Sequence, residues 1–170
     1  MENEVLKCLE TRRSVRAYLP KQVDEPTLDA ILKAGTYAAT GMGKQSPKII
    51  VLQKPEDIAE LEQMNAAVLG NPNAKPFYGA PTVCVVLADA GVGTAVEDGS
   101  LVMGNLMNAA HALGVDSCWI HRAREEFQSP EGKALLKRWG IEGEWIGVGH
   151  CILGYAAQAP AQPKPRKADY

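Results

Sequence analysis

Aromatic side chains are scarce here, at 6% of 170 residues, with only two phenylalanines. A basic excess is missing too: 18 Lys and Arg stand against 20 Asp and Glu, for a formal net charge of −2 and a pI near 5.9. General nucleic-acid binding calls for a basic domain and, on single strands, for aromatic faces on which bases stack, so it is not expected. No run approaches the roughly eighteen apolar residues of a membrane helix. Met1-Glu2-Asn3-Glu4 is no signal peptide, and a cytoplasmic protein without a membrane partner is the expectation.

The four cysteines, Cys8, Cys84, Cys118 and Cys151, are widely spread and form no C-x-x-C pair. In a cytosolic chain they read as core thiols rather than a disulfide framework. Cys118-x-x-His121 followed by His150-Cys151 is the one arrangement with a metal flavour. His150 and Cys151 sit on an apolar stretch read as a strand, where adjacent side chains point to opposite faces, so no metal site is expected. Hydrolytic parts are missing as well. There is no G-x-S-x-G elbow, H-E-x-x-H pair or Walker A loop, and G-V-G-T-A-V from Gly91 is not a dinucleotide fingerprint.

What is present is enough for one core, since 46% of the residues are apolar. A short helix is expected from Asn3 to about Arg12 with Val5, Leu6 and Leu9 inward. A second is capped by Asp24, with Leu28, Ile31 and Leu32 at helical spacing. The loop T-G-M-G-K-Q-S-P leads into strand K-I-I-V-L-Q, Pro55 opens a third helix, and T-V-C-V-V-L-A is a buried strand. Residues 97 to about 113 form a long helix apolar on nearly every side, hence a central one. V-D-S-C-W-I, a helix from Ser129-Pro130 to Gly140, and W-I-G-V-G-H-C-I-L-G complete the series. The fold class is α+β: a small mixed sheet with helices on both faces. Residues 1–154 form the domain, and 155–170, with little to bury, an extended arm.

Two basic clusters stand out. Residues 12–16 read R-R-S-V-R, and the arm carries Lys164-Pro165-Arg166-Lys167. Alone, the first is an ordinary solvated turn and the second a basic tail that aids solubility. Together they suit phosphate, because a guanidinium fork matches its oxygens and a serine or backbone N–H adds neutral donors. A phosphate site without acid–base machinery points to a phosphorylated cofactor that carries the chemistry.

Arg12-Arg13-Ser14-x-Arg16 after a short helix, the loop from Thr40 to Pro47 before a strand, G-V-D-S-C-W-I, and the K-P-R tail occur in the order seen in the nitroreductase family, which the chain resembles over nearly its whole length. That resemblance implies a three-layer sandwich and an intertwined homodimer with FMN at the interface. It implies an FMN-dependent NAD(P)H oxidoreductase that passes two electrons by ping-pong hydride transfer from NADH or NADPH to a nitroaromatic, quinone or similar small acceptor. Arg12, Arg13, Ser14 and Arg16 would hold the phosphate, ribityl chain and pyrimidine edge, with Lys164 and Arg166 near the phosphate. Thr40, Gly41 and Gln45 would reach FMN from the other subunit. Trp119, Ile120, His121 and Arg122 would lie along the ring. The chain departs from the family at Gly43-Lys44-Gln45-Ser46-Pro47, which lacks the family's Asn and Trp, and at Arg122, where some members carry glycine.

Arg12 or Arg16 is the candidate to face charge developing on the ring. His121 is the candidate acid toward the acceptor, with a purely structural role as its alternative; His111 and His150 read as structural. Asn65 falls within an apolar stripe of Ile58, Leu61, Val68 and Leu69. A buried amide needs partners, so it bonds either a neighbouring backbone group or the flavin's pyrimidine edge. Other readings stay open: a flavin-binding or storage module without efficient turnover, or a dehalogenase-type or flavin-fragmenting relative.

Overall fold

The computed structural model describes residues 3–170; Met1 and Glu2, which begin the opening segment, lie outside them. Asn3 accepts the Val5 N–H at 2.9 Å and so caps helix α1, Glu4–Thr11. Asp24 caps α2, Glu25–Thr36, by accepting the Thr27 N–H at 3.0 Å. Strand β1, Lys48–Leu52, is followed by α3, Pro55–Val68, then β2, Thr82–Asp89, and α4, Ala95–Ala112. Then come β3, Asp116–Ile120, α5, Ala123–Gln128, α6, Pro130–Arg138, and β4, Trp145–Gly154.

The sheet runs β1-β2-β4-β3, and each neighbouring pair is antiparallel. A mixed sheet was expected because two strands follow helices at lengths that permit a crossover, as β3 follows α4. The crossover exists, and β2 and β3 do run the same way. However, β4 inserts between them and opposes both, so every ladder is antiparallel. Among the described residues, parallel pairing is confined to one bridge, Ser14 to Ser117.

Both faces of the sheet are covered, which is why its central strands are continuous apolar runs rather than alternating ones. On one face Val83, Val85, Leu87 and Ile152 pack with Leu61 of α3, Phe127 of α5 and Leu135 and Leu136 of α6. On the other, Cys84, Val86, Cys151 and Leu153 meet Leu28 and Ile31 of α2 and Val102, Met103 and Leu106 of α4. The result is a helix–sheet–helix sandwich of three layers. No helix of the described residues is long and apolar enough to cross a membrane.

Three local expectations need correction. Val5, Leu6 and Leu9 face outward, at 66%, 45% and 52% exposure. Helix α1 instead docks on α4 through polar groups, with Cys8 Sγ donating to the Asn108 carbonyl and the Thr11 hydroxyl bonding His111 Nε2. The stripe on α3 holds for Leu61 and Asn65 but fails at Val68 and Leu69, which are exposed where the chain turns away at Gly70. Helix α5 was not expected, because A-R-E-E-F-Q is too short and too charged to show a period.

Candidate functional site

The R-R-S-V-R segment leaves α1 and runs beside β3. Ser14 bridges Ser117, and the Val15 N–H donates to the Ser117 carbonyl at 3.0 Å. On its other side the start of the arm pairs with it: the Leu19 N–H donates to Tyr155 O at 2.8 Å and the Ala157 N–H to Ala17 O at 2.9 Å. A groove of about 180 Å³ lies between Ser14, Arg16 and residues 158–161. Arg13 is held by its own chain, its Nη1 donating to the carbonyls of Glu10 and Arg12, both at 2.7 Å.

Arg12 differs. Its Nη1 is buried without a hydrogen-bond partner, as is the hydroxyl oxygen of Ser117. A charged donor taken from water and left unpaired costs more than a neutral one, and an anion bound at this corner would relieve that cost. The residues therefore fit a phosphorylated cofactor. Arg16 is exposed, and so are Lys164 and Arg166. Neither Lys164 nor Arg166 makes an ion pair with any of the described residues of its own chain.

From that corner β3 leads to the next group of residues. Trp119 is half-buried with its indole over Gly149, where a Cβ would lie 2.3 Å from Nε1, so only glycine admits the ring. Ile120 points into the core, and His121 emerges exposed at the strand's end. Arg122 then adopts φ 80°, a left-handed conformation uncommon for a long side chain. Asn65 holds this turn: its Nδ2 donates to the His121 carbonyl and its Oδ1 accepts from Arg122 Nε, each at 2.9 Å. Asn65 is fully buried. Of the two partners expected, the structure supplies the neighbouring backbone, and adds an arginine.

The loop carrying Thr40, Gly41 and Gln45 lies elsewhere. Thr40 Oγ1 accepts the Gln45 N–H at 3.0 Å, and Asp98 Oδ1 accepts the Gly41 N–H at 2.9 Å. Thr94 donates its hydroxyl to the other oxygen of Asp98 at 3.1 Å. A Cβ on Gly41 would strike Thr94 Oγ1 at 2.2 Å. Beneath the loop is a cleft of about 330 Å³ lined by Thr40, Gln45, Leu32, Ile49 and Val102. It borders β1, the sheet edge opposite β3. Three strand spacings of about 4.8 Å and five residues of about 3.3 Å rise, from the level of Ser117 to that of Lys48, separate this loop from Arg12 by roughly 20 Å. One chain does not bring the two groups together.

Asp98 and Ser117 went unnoticed in the sequence. An aspartate in the first turn of a helix reads as an ordinary dipole partner, and nothing marks Ser117 as the residue whose backbone meets the arginine segment. The remaining candidates are structural. His150 bonds Glu126, both wholly buried, between the rings of Phe77 and Phe127. Cys151 points into the opposite core. Burial pushes the Cys84 thiol up to about 12 and raises that of Cys151, so both stay protonated and inert.

Comparison with known proteins gives the family. A nitroreductase from Bacteroides fragilis, crystallised with bound FMN, superimposes with a TM-score of 0.91 at 31% identity, covering 98% of this chain and 96% of that one. Another with bound FMN, from Desulfitobacterium hafniense, gives 0.86 at 27% identity over 96% of each chain. An Archaeoglobus fulgidus protein provisionally named NADH dehydrogenase/NAD(P)H nitroreductase is 30% identical across 89% of this chain and 85% of its own. The family model described as the nitroreductase family matches residues 9–155, and the chain belongs to that family.

Proposed function

We propose that the protein is a cytoplasmic, homodimeric, FMN-dependent oxidoreductase that takes hydride from NADH or NADPH and delivers two electrons to a nitroaromatic, quinone or similar small acceptor. The observation that carries this reading is the buried, unpartnered Nη1 of Arg12, in the segment that pairs with β3 at Ser117, a strand whose far end presents His121 and Arg122. FMN, when bound, supplies reversible two-electron hydride chemistry at its ring.

The chain's own residues bind and position. Arg12, Arg13, Ser14 and Arg16 hold the phosphate and the polar chain behind it, and Arg12 or Arg16 sets a fixed positive charge near the pyrimidine edge. Asn65 and Arg122 fix the His121–Arg122 turn, so that its backbone donors face the ring without reorganisation. His121, exposed at that turn, can hold a proton for the acceptor.

Two features call for a second copy. The Thr40–Gln45 loop lies roughly 20 Å from Arg12 within one chain by the strand spacings above; a second copy can supply it. The outward face of α1, with Leu101 of α4 at 50% exposure, leaves apolar surface that a partner would cover. Lys164 and Arg166, on an exposed arm, fit the same arrangement.

Steady-state kinetics with NADH or NADPH and a quinone or nitroaromatic test the reading. Parallel double-reciprocal lines support it. A flavin-loaded protein that oxidises neither nicotinamide would instead be a flavin-binding module.

A further inference from the structure

The Arg122 side chain is tethered in an unusual way. Its Nε donates to the buried Asn65 Oδ1 at 2.9 Å, and its backbone sits at φ 80°. Its carbonyl accepts the Glu126 N–H at 3.1 Å, so both ends of the residue are fixed. The tether is a neutral amide rather than a carboxylate, and it leaves the positive charge unbalanced. Of the acids that follow on α5, Glu126 turns inward to His150 and Glu125 is exposed. Arg122 makes no ion pair among the described residues. With Nε engaged, the plane of the guanidinium is set, and the two terminal nitrogens form an end-on fork that is free to bind. Such a fork matches the two oxygens of a carboxylate and prefers them to a neutral amide.

We propose that Arg122 is the residue that selects the electron acceptor, favouring small aromatic molecules that carry a carboxylate. The proposal rests on the FMN reading above, which places His121 and Arg122 along the ring face. A left-handed arginine costs backbone strain where glycine would cost none, and the buried Asn65 is spent on holding it. That combination is what a fixed cationic recognition group requires.

The test is calorimetric titration of the purified dimer with benzoate and with benzamide, its neutral isostere, while flavin content is measured on the same samples. Wild-type protein should bind benzoate at least about tenfold more tightly than benzamide. Arg122→Asn, which tolerates the left-handed backbone, should abolish that preference in its flavin-loaded fraction, benzoate then binding no more tightly than benzamide. Arg122→Lys keeps the charge without the fork and should fall between. Equal binding of the two ligands by wild type, or a preference that survives in flavin-loaded Arg122→Asn, would overturn the proposal alone. Loss of flavin from Arg122→Asn only would overturn it too, since the fork would then be holding the cofactor. Wild-type protein without flavin would sink the functional reading on which it rests.

Discussion

Replacing Asp98 by alanine removes the carboxylate that anchors the Thr40–Gln45 loop to α4. Asp98 is 3% exposed and accepts two hydrogen bonds, from the Gly41 N–H at 2.9 Å and the Thr94 hydroxyl at 3.1 Å. Hydrogen bonds to a charged group are worth about 1.5–3 kcal/mol each. The exposed Thr94 hydroxyl can turn to water, so most of the loss falls on Gly41. Relief of the buried charge offsets part of it, leaving a net destabilisation of about 2 kcal/mol. For a chain of this size that lowers Tm by about 4–8 °C. Asp98→Asn retains an oxygen for the Gly41 N–H and should lose less than half as much. Scanning calorimetry of the flavin-free protein gives the stability, and fluorescence titration gives FMN affinity, which should fall in Asp98→Ala because the loop no longer presents a fixed surface. An unchanged melting temperature for Asp98→Ala would refute the reasoning, as would an Asp98→Asn protein as damaged as the alanine variant.

Asn65→Leu strands the His121 carbonyl and frees Arg122, and should cost about 1–3 kcal/mol in urea unfolding while also weakening FMN; wild-type FMN affinity and reduction potential would make Asn65 purely structural. Glu126→Gln breaks a wholly buried pair with His150 and should cost about 3 kcal/mol with flavin content intact, as read by denaturant melts. Leu9→Glu places charge on the outward face of α1, and analytical ultracentrifugation should show monomers; an undisturbed dimer would remove that face from the interface.

Much of the fold was legible because its elements are punctuated in the sequence. Asp24, Pro55 and Ser129-Pro130 mark helix starts, and the two-sided burial of β2 and β4 shows as unbroken apolar runs. Strand direction was not legible, since the insertion of β4 between β2 and β3 is a long-range choice that no local pattern encodes. Periodicity also misplaced Val5, Leu6 and Leu9, because an apolar stripe has the same signature whether it packs within the chain or waits for another surface. At the site, R-R-S-V-R was visible through its charge. The burial of Arg12 Nη1, and the tie between Asn65 and Arg122, which are 57 apart in sequence, are revealed only by the folded chain.

Chromatography of the chromophore released from heat-denatured protein shows directly what Arg12 and its neighbours hold. The predicted result is FMN at one per protomer in wild type, and its loss from the folded Arg12→Ala/Arg13→Ala variant, because two charge-assisted contacts of about 1.5–3 kcal/mol each are removed. Riboflavin, FAD or no flavin in wild type, or full FMN in the double variant, would contradict it.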